Sequence, residues 1–511
     1  MTQQIEDLYR PKVRRRRFPP SRRTSLIVIV ILLASGLLWV GYSWFQTCGG
    51  FGTGVSKVDG QCVGVTDGSY VFEPNLADVE GKIKKANDNI GQAKSVTVAV
   101  LNMFTANDTS PLTPDEIREQ LEGAYVAQQA ANNGVNFGDK NLKIRLVIAN
   151  EGSDEQQWQP TVQQLIGMKQ DSSPLVTVVG LGVSIPATVD SGRALADAGL
   201  PMVGAVLTAV DGTKVPGLFR VQPSDREFVT GLDLYLKQHP DLNQGLIVYD
   251  SNSGTNGTAV QDLYTQSLFD SDQHQLNRVL RYNPLGFQGK SVPSHSDADM
   301  FDRLVTTICG VAPNIVLYAG RLVDLTDFLT ALEGRECAPK GPITVLTGGT
   351  DLGVLNTATI RQQLTKGRIS VVYSSPTDVA DWRTYPASAP RHFAQFLDEY
   401  EAEHVPMADL DDGYAVSMYD AVATATEAIR HAYNGGALPS PTDVLHQLPN
   451  LVNTDTVPAA GGDLSFAVQN HGDPGGKPLP VLRIPADPAV TAPPIANCAA
   501  TQPGYAYCTP R

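Results

Sequence analysis

The sequence predicts an α/β chain: two lobes, each a parallel sheet wound on both faces by helices, preceded by one membrane-spanning helix. Three observations predict it. Residues 25–45 carry no charge, and apolar strands alternate with amphipathic helices in two successive series. The body that follows, within a chain of 511 residues that is 42% hydrophobic, is too long for one core and divides into two.

At about 1.5 Å per helical residue, residues 25–45 match the roughly 30 Å hydrocarbon thickness of a bilayer. Residues 1–24 hold Arg10, Lys12, Arg14, Arg15, Arg16, Arg17, Arg22 and Arg23 against Glu6 and Asp7, a balance of +6. The positive-inside rule keeps that end in the cytoplasm and puts the body outside, in a single-pass arrangement at the cell membrane. Small residues lie inside the span, at Ala34, Ser35 and Gly36, and its exit is "YSWFQT". That is an interfacial aromatic cluster rather than a small-residue cleavage site, so the segment reads as an uncleaved anchor. Arg22–Arg23 alone is a weak twin-arginine signal, and the residues before Cys48 do not form the box of a lipidated cysteine.

The whole chain balances at −14, which leaves −20 beyond residue 24. An acidic surface argues against a nucleic-acid partner. Six cysteines follow the span, and an even number outside the membrane implies disulfides. Their separations favour Cys48–Cys62, Cys309–Cys337 and Cys498–Cys508. No CxxC pair or histidine spacing supports zinc.

Residues 46–94 read as a juxtamembrane loop and short helix. Then come the strand "SVTVAVLNMF", a helix opened by Thr113, Pro114 and Glu116 as a capping box, the strand "LKIRLVIAN", the helix "TVQQLIGMKQ", the strand "LVTVVGLG", a helix from about Ile185, and the strand "PMVGAV". A second capping box, Ser224 with Glu227, marks the break after "GLFRV". The second series runs through "QGLIVYD", "LNRVLRY", "NIVLYAG", "ITVLTGG" and "RISVVYSS" with helices between. Three helices follow, the last from Ser440 and Pro441, then an extended hairpin over "DLSFAVQNHGDPGGKPLPVLRI". Residues 486–511, rich in Pro and Ala, read as an irregular tail with its own disulfide.

"VTVAVLNMF" before "LEGAYVAQQAAN", "VVGLGVSIPATVDSGRALADAGLPMVG", "LFRVQPSD", "IVLYAG" with "FLTAL", "SMYDAVATATEAI" and "LSFAVQNHGDP" occur in that order. Together they resemble the type I periplasmic binding proteins, in the branched-chain amino-acid-binding branch related to receptor ligand-binding domains, over about 95–485. The resemblance implies two lobes joined by three crossovers, placed near Phe219–Val221, Val371–Tyr373 and Leu451–Val457. Lobe one then comprises 95–219 and 373–450, and lobe two 220–372 and 451–485. It also implies a small solute trapped by hinge closure.

Ligands of open α/β sheets bind at the carboxyl ends of the strands, where helix N-termini present free N–H groups. Ser184 follows the third strand and is expected to cap the next helix and hold a carboxylate. The resemblance gives Thr208 a second hydroxyl contact and Asp351 the neutralising of a ligand ammonium. Arg321 departs from the family pattern, meaning either a ligand with an extra anionic group or an internal pair with a neighbour such as Asp324. The connection "DSNSGTNGT" lacks the family's tyrosine, and Phe104 belongs either to the cleft mouth or to the core. No nucleophile elbow, metal motif or dinucleotide fingerprint is present, so the sequence predicts no enzyme and no cofactor. It predicts a solute-binding protein for an amino acid or similar zwitterion. ABC permease subunits are its partners if it feeds an importer; the alternative is a surface sensor or scaffold with the same fold.

Overall fold

The structure is a computed structural model that describes residues 48–49, 53–107, 110–133, 137, 141–209, 215–251, 263–289, 300–337, 341–350, 352–485, 496–502 and 505–509. The expected anchor, 25–45, lies outside the described residues, as does Asp351. Among the described residues no helix is long and apolar enough to cross a membrane.

Two large sheets organise the body. The first contains β1 (Val55–Val58), β2 (Gln61–Thr66), β3 (Ser95–Asn102), β4 (Lys143–Asn150), β5 (Leu175–Gly180), β6 (Met202–Gly204) and β7 (Leu218–Arg220), in the order β1-β2-β4-β3-β5-β6-β7. From β4 to β7 all neighbours are parallel. The second sheet contains β8 (Gly245–Asp250), β9 (Leu285–Phe287), β10 (Ile315–Ala319), β11 (Ile343–Gly348) and β12 (Ile369–Ser374), in the order β9-β8-β10-β11-β12 and again parallel. Both parallel sections therefore have the doubly wound order in which the chain reverses direction between the first strand and the third.

Strand composition follows from burial on both faces. Ile315, Leu317 and Ala319 of β10 enter one apolar cluster with Phe228 and Leu232, while Val316 and Tyr318 enter another with Leu325 and Phe328. Alternation puts successive side chains on opposite faces, so a strand covered twice reads as a continuous apolar run.

The helices that cover the first sheet include α1 (Ala77–Asn89), α2 (Pro114–Asn133), α3 (Trp158–Gly167) and α4 (Pro186–Asp197). The second sheet is covered by α5 (Asp225–Gln238), α6 (Leu263–Gln275), α7 (Asp302–Val311), α8 (Leu322–Gly334) and α9 (Ala358–Gly367). The chain then returns through α10 (Val379–Thr384), α11 (Phe393–Ala402), α12 (Tyr414–Ala432) and α13 (Pro441–Gln447). Helix α12 packs closely on α2: a side chain at Gly123 would begin 2.1 Å from the Ala415 carbonyl oxygen. Three of the caps expected from sequence form, at Thr113 with Glu116, Ser224 with Glu227, and Ser440, whose partner is Asp443.

Four expectations need correction. Residues 53–94 are not a separate juxtamembrane segment: β2 pairs antiparallel with β4, and the Asn87 amide of α1 bonds both backbone groups of Leu146. The third crossover lies later than 451–457, because β13 (Val457–Ala459) and β14 (Gly462–Leu464) stay against α12. The chain enters the second sheet only at β15 (Pro478–Ile484), which pairs antiparallel with β12, so β14 and β15 are not the two arms of one hairpin. The tail is not irregular either, since β16 (Ala496–Gln502) and β17 (Tyr505–Thr509) extend the second sheet beyond β15.

Cys309 and Cys337 form a disulfide between α7 and the segment after α8. Cys48 and Cys62 are each disulfide-bonded. Backbone positions 498 and 508 lie directly opposite in β16 and β17.

Candidate functional site

The carboxyl ends of both parallel sections border one cleft of about 470 Å³. Its walls come from the connections after β3 (Leu112, Thr113, Glu116), β5 (Val183, Ser184) and β6 (Val206, Thr208), and from those after β8 (Asp250, Tyr264), β10 (Arg321, Asp324) and β11 (Thr350, Leu352). In each sheet these connections flank the point where winding reverses, which leaves a crevice between loops running in opposite directions. Ser184, Thr208 and Arg321, all expected from sequence, share this cleft.

Ser184 does not cap α4. Pro186 opens that helix, Ile185 is its extended N-cap, and the Ser184 hydroxyl instead accepts the Thr208 N–H at 3.2 Å and the Ala209 N–H at 3.3 Å. The serine thus binds the β5 and β6 connections together and retains its own O–H to donate. Its carbonyl accepts the N–H of Leu263, the first residue of α6, at 3.0 Å, and the Leu263 side chain packs on the apolar cluster of the first lobe. This contact joins the two lobes at the cleft.

Behind the serine turn stands Glu155, fully buried with a left-handed φ of 61°. Its carboxylate accepts the Val183 N–H at 3.0 Å and the Thr188 hydroxyl at 2.6 Å. Gly182 makes room for it: a side chain there would begin 1.7 Å from Glu155 Oε1. Burial pushes the Glu155 carboxyl up to about 7, against the opposing pull of the Thr188 and Val183 bonds and of the Arg321 charge from the second lobe. Glu151, also fully buried, is raised well above the usual range by burial and by Glu155.

On the second lobe, Arg321 is the extended N-cap residue of α8, with its guanidinium carbon 5.4 Å from the centroid of the Tyr264 ring. The Tyr264 hydroxyl donates to the Gly348 carbonyl. Asp250 ends β8 and accepts the Gly289 N–H at 3.0 Å. Phe104 belongs to the core, buried and stacked against Phe72. Sequence reasoning missed Asp250, Tyr264 and Glu155. The first was open to the same strand-end argument that found Arg321; the other two left no local signal.

No protein-family model matches the chain, and no curated protein matches it in sequence. Solved structures do. An ABC transporter substrate-binding protein from Desulfitobacterium hafniense in complex with Leu is 16% identical, with a TM-score of 0.54, over 81% of this chain and 100% of that one. The branched-chain amino acid transporter substrate-binding protein LivJ from Streptococcus pneumoniae, in complex with isoleucine, is 14% identical, with a TM-score of 0.54, over 76% of this chain and 95% of that one. An ABC transporter substrate-binding protein from Sphaerobacter thermophilus is 12% identical, with a TM-score of 0.56, over 82% and 97%.

The fold is that of the type I periplasmic binding proteins. At such identities the likeness is one of fold alone, and the periplasmic-binding-protein fold hosts its chemistry in side chains that differ from chain to chain. In this one the interlobe cleft is lined by hydroxyls on one wall and by an Arg–Tyr pair with carboxylates on the other.

Proposed function

We propose that this chain is a membrane-anchored, extracytoplasmic solute-binding protein that closes its two lobes over a small polar zwitterion for import. Residues 25–45 form the anchor, residues 1–24 stay in the cytoplasm, and permease subunits of an ABC importer receive the solute. The observation that carries the reading is the cleft of about 470 Å³ between the strand tips of both sheets. That volume is in the range of small-molecule sites, and its few polar groups converge from opposite walls.

Ser184 and Thr208 would take the solute's carboxylate, the Ser184 hydroxyl being oriented by the two amides it accepts. Asp351, one residue beyond the cleft-lining Thr350, would meet the ammonium. Arg321 belongs to the internal network: it stands over Tyr264, and its charge opposes the burial of Glu155 across the cleft.

A thermal-shift screen of the full-length chain in detergent against amino acids, short peptides and sugars tests this. A bound solute at 100 times its dissociation constant adds about 2.7 kcal/mol to stability. A screen in which no small polar molecule moves the melting temperature removes the reading.

A further inference from the structure

Two direct contacts join the lobes at places that are not crossovers. The first is at Leu263, which opens α6 of the second lobe. The first N–H groups of a helix have no acceptor within it, and the Leu263 N–H finds one in the Ser184 carbonyl of the first lobe, at 3.0 Å. The half-buried Leu263 side chain continues the contact into the first lobe's apolar cluster, which holds Leu181, Val189 and Leu207. The second contact is at Gly353, after β11. Leu352 and Leu355 are buried in the core of the second lobe, and Gly353 between them lies against the backbone of Asp411. Asp411 belongs to the first lobe, where Asp409 pairs with Arg118 of α2 at 2.6 Å. A side chain on Gly353 would begin 2.7 Å from the Asp411 carbonyl oxygen, so this close approach depends on glycine.

Ser184, Tyr264 and Leu352 line the cleft beside these contacts, whereas Leu263, Gly353 and Asp411 are not among its described lining residues. Both contacts are made by the chain's own atoms and neither passes through the cleft. A contact present when the lobes are together and lost when they part favours the closed form by its own free energy. It also raises the fraction competent to trap a solute, which tightens every such solute by one common factor.

We infer that Leu263 and Gly353 form a latch that draws part of the population closed before any solute enters, and that the two residues set affinity without touching the solute. The consequence for affinity rests on the solute-binding reading above; the latch itself does not.

Paired spin labels on the full-length chain test it, at Asp190→Cys on α4 and Lys366→Cys on α9, both exposed side chains, one in each lobe. With no solute added, the distance distribution is expected to hold a short, closed component that Leu263→Ala and Gly353→Ala each reduce, about fivefold or more relative to the open one. Calorimetric titration with L-leucine, L-glutamate and L-lysine is expected to show every probe that binds weakened by the same factor in a given variant, with their order unchanged. Should Leu263→Ala fold poorly, Gly353→Ala gives the same readout from a different contact. A solute-free distribution without the short component, or one that neither variant shifts, overturns the latch and leaves solute binding standing. A variant that weakens one probe and spares another overturns the claim that these residues act without touching the solute. Absence of binding by all three probes, together with no response in the wider thermal-shift screen, overturns the solute-binding reading, and the solute-free distances still decide the latch.

Discussion

Lys477 Nζ lies 2.8 Å from Asp420 Oδ2, and both side chains are completely buried. Asp420 belongs to α12 of the first lobe, whereas Lys477 immediately precedes β15, which enters the second sheet. The Gly461 N–H also donates to Asp420, so one carboxylate gathers the last crossover onto the first lobe. Burial pushes the Asp420 carboxyl up, and Lys477 and the backbone donors draw it back down.

Removing one partner leaves a buried charge without compensation. Lys477→Met is predicted to destabilise the chain by about 3–5 kcal/mol, measured by denaturant unfolding. The double variant Lys477→Met with Asp420→Leu is predicted to recover much of that loss, since no isolated charge remains.

Ser184→Ala deletes the acceptor for two buried N–H groups, those of Thr208 and Ala209. Unsatisfied buried donors cost about 1–3 kcal/mol. The variant should melt at a lower temperature and bind its solute at least about tenfold more weakly, while Ser184→Thr, which keeps the oxygen, should recover part of both.

Glu155 gives a pH dependence whose sign is fixed. Its folded carboxyl titrates at about 7, against 4.5 for an ordinary glutamate, because burial favours the protonated form. Between those values the folded chain holds a proton that the unfolded chain has lost, so this contribution to stability declines as pH rises through that window. Thermal unfolding at a series of pH values should show that decline in the wild type and a flatter profile in Glu155→Gln, whose amide keeps an acceptor for the Val183 N–H.

Cys309 and Cys337 are 28 residues apart in sequence. Loop-closure entropy predicts a loss of about 3–4 kcal/mol for the Cys309→Ala, Cys337→Ala double variant, measured by denaturant unfolding under non-reducing conditions.

Much of the fold was legible because its signals are local. Capping boxes depend on residues three apart, and strands such as "NIVLYAG" are apolar throughout because helices cover both faces. The boundaries that were misplaced depend on distant partners. Nothing near Val457 announces that β13 and β14 will stay beside Asp420, and the Pro- and Ala-rich tail gives no period that predicts edge strands. The same division runs through the site. That Ser184 and Arg321 border the cleft was legible because strand ends in a βα series face the crevice. The Ser184 bonds to the next connection were hidden, since they depend on Pro186 starting the helix one residue after Ile185. Glu155 was hidden because its reach to Val183 depends on a left-handed residue without glycine's freedom.

Small-angle X-ray scattering of the full-length chain, with and without the solute that most raises its melting temperature, tests the closing of two lobes over a guest most directly. The account predicts a smaller radius of gyration with solute present, a larger one for Leu263→Asp without it, and no contraction on adding solute to Ser184→Ala at the concentration that closes the wild type. A scattering profile that no solute changes, in a chain whose melting temperature no solute raises, would contradict it.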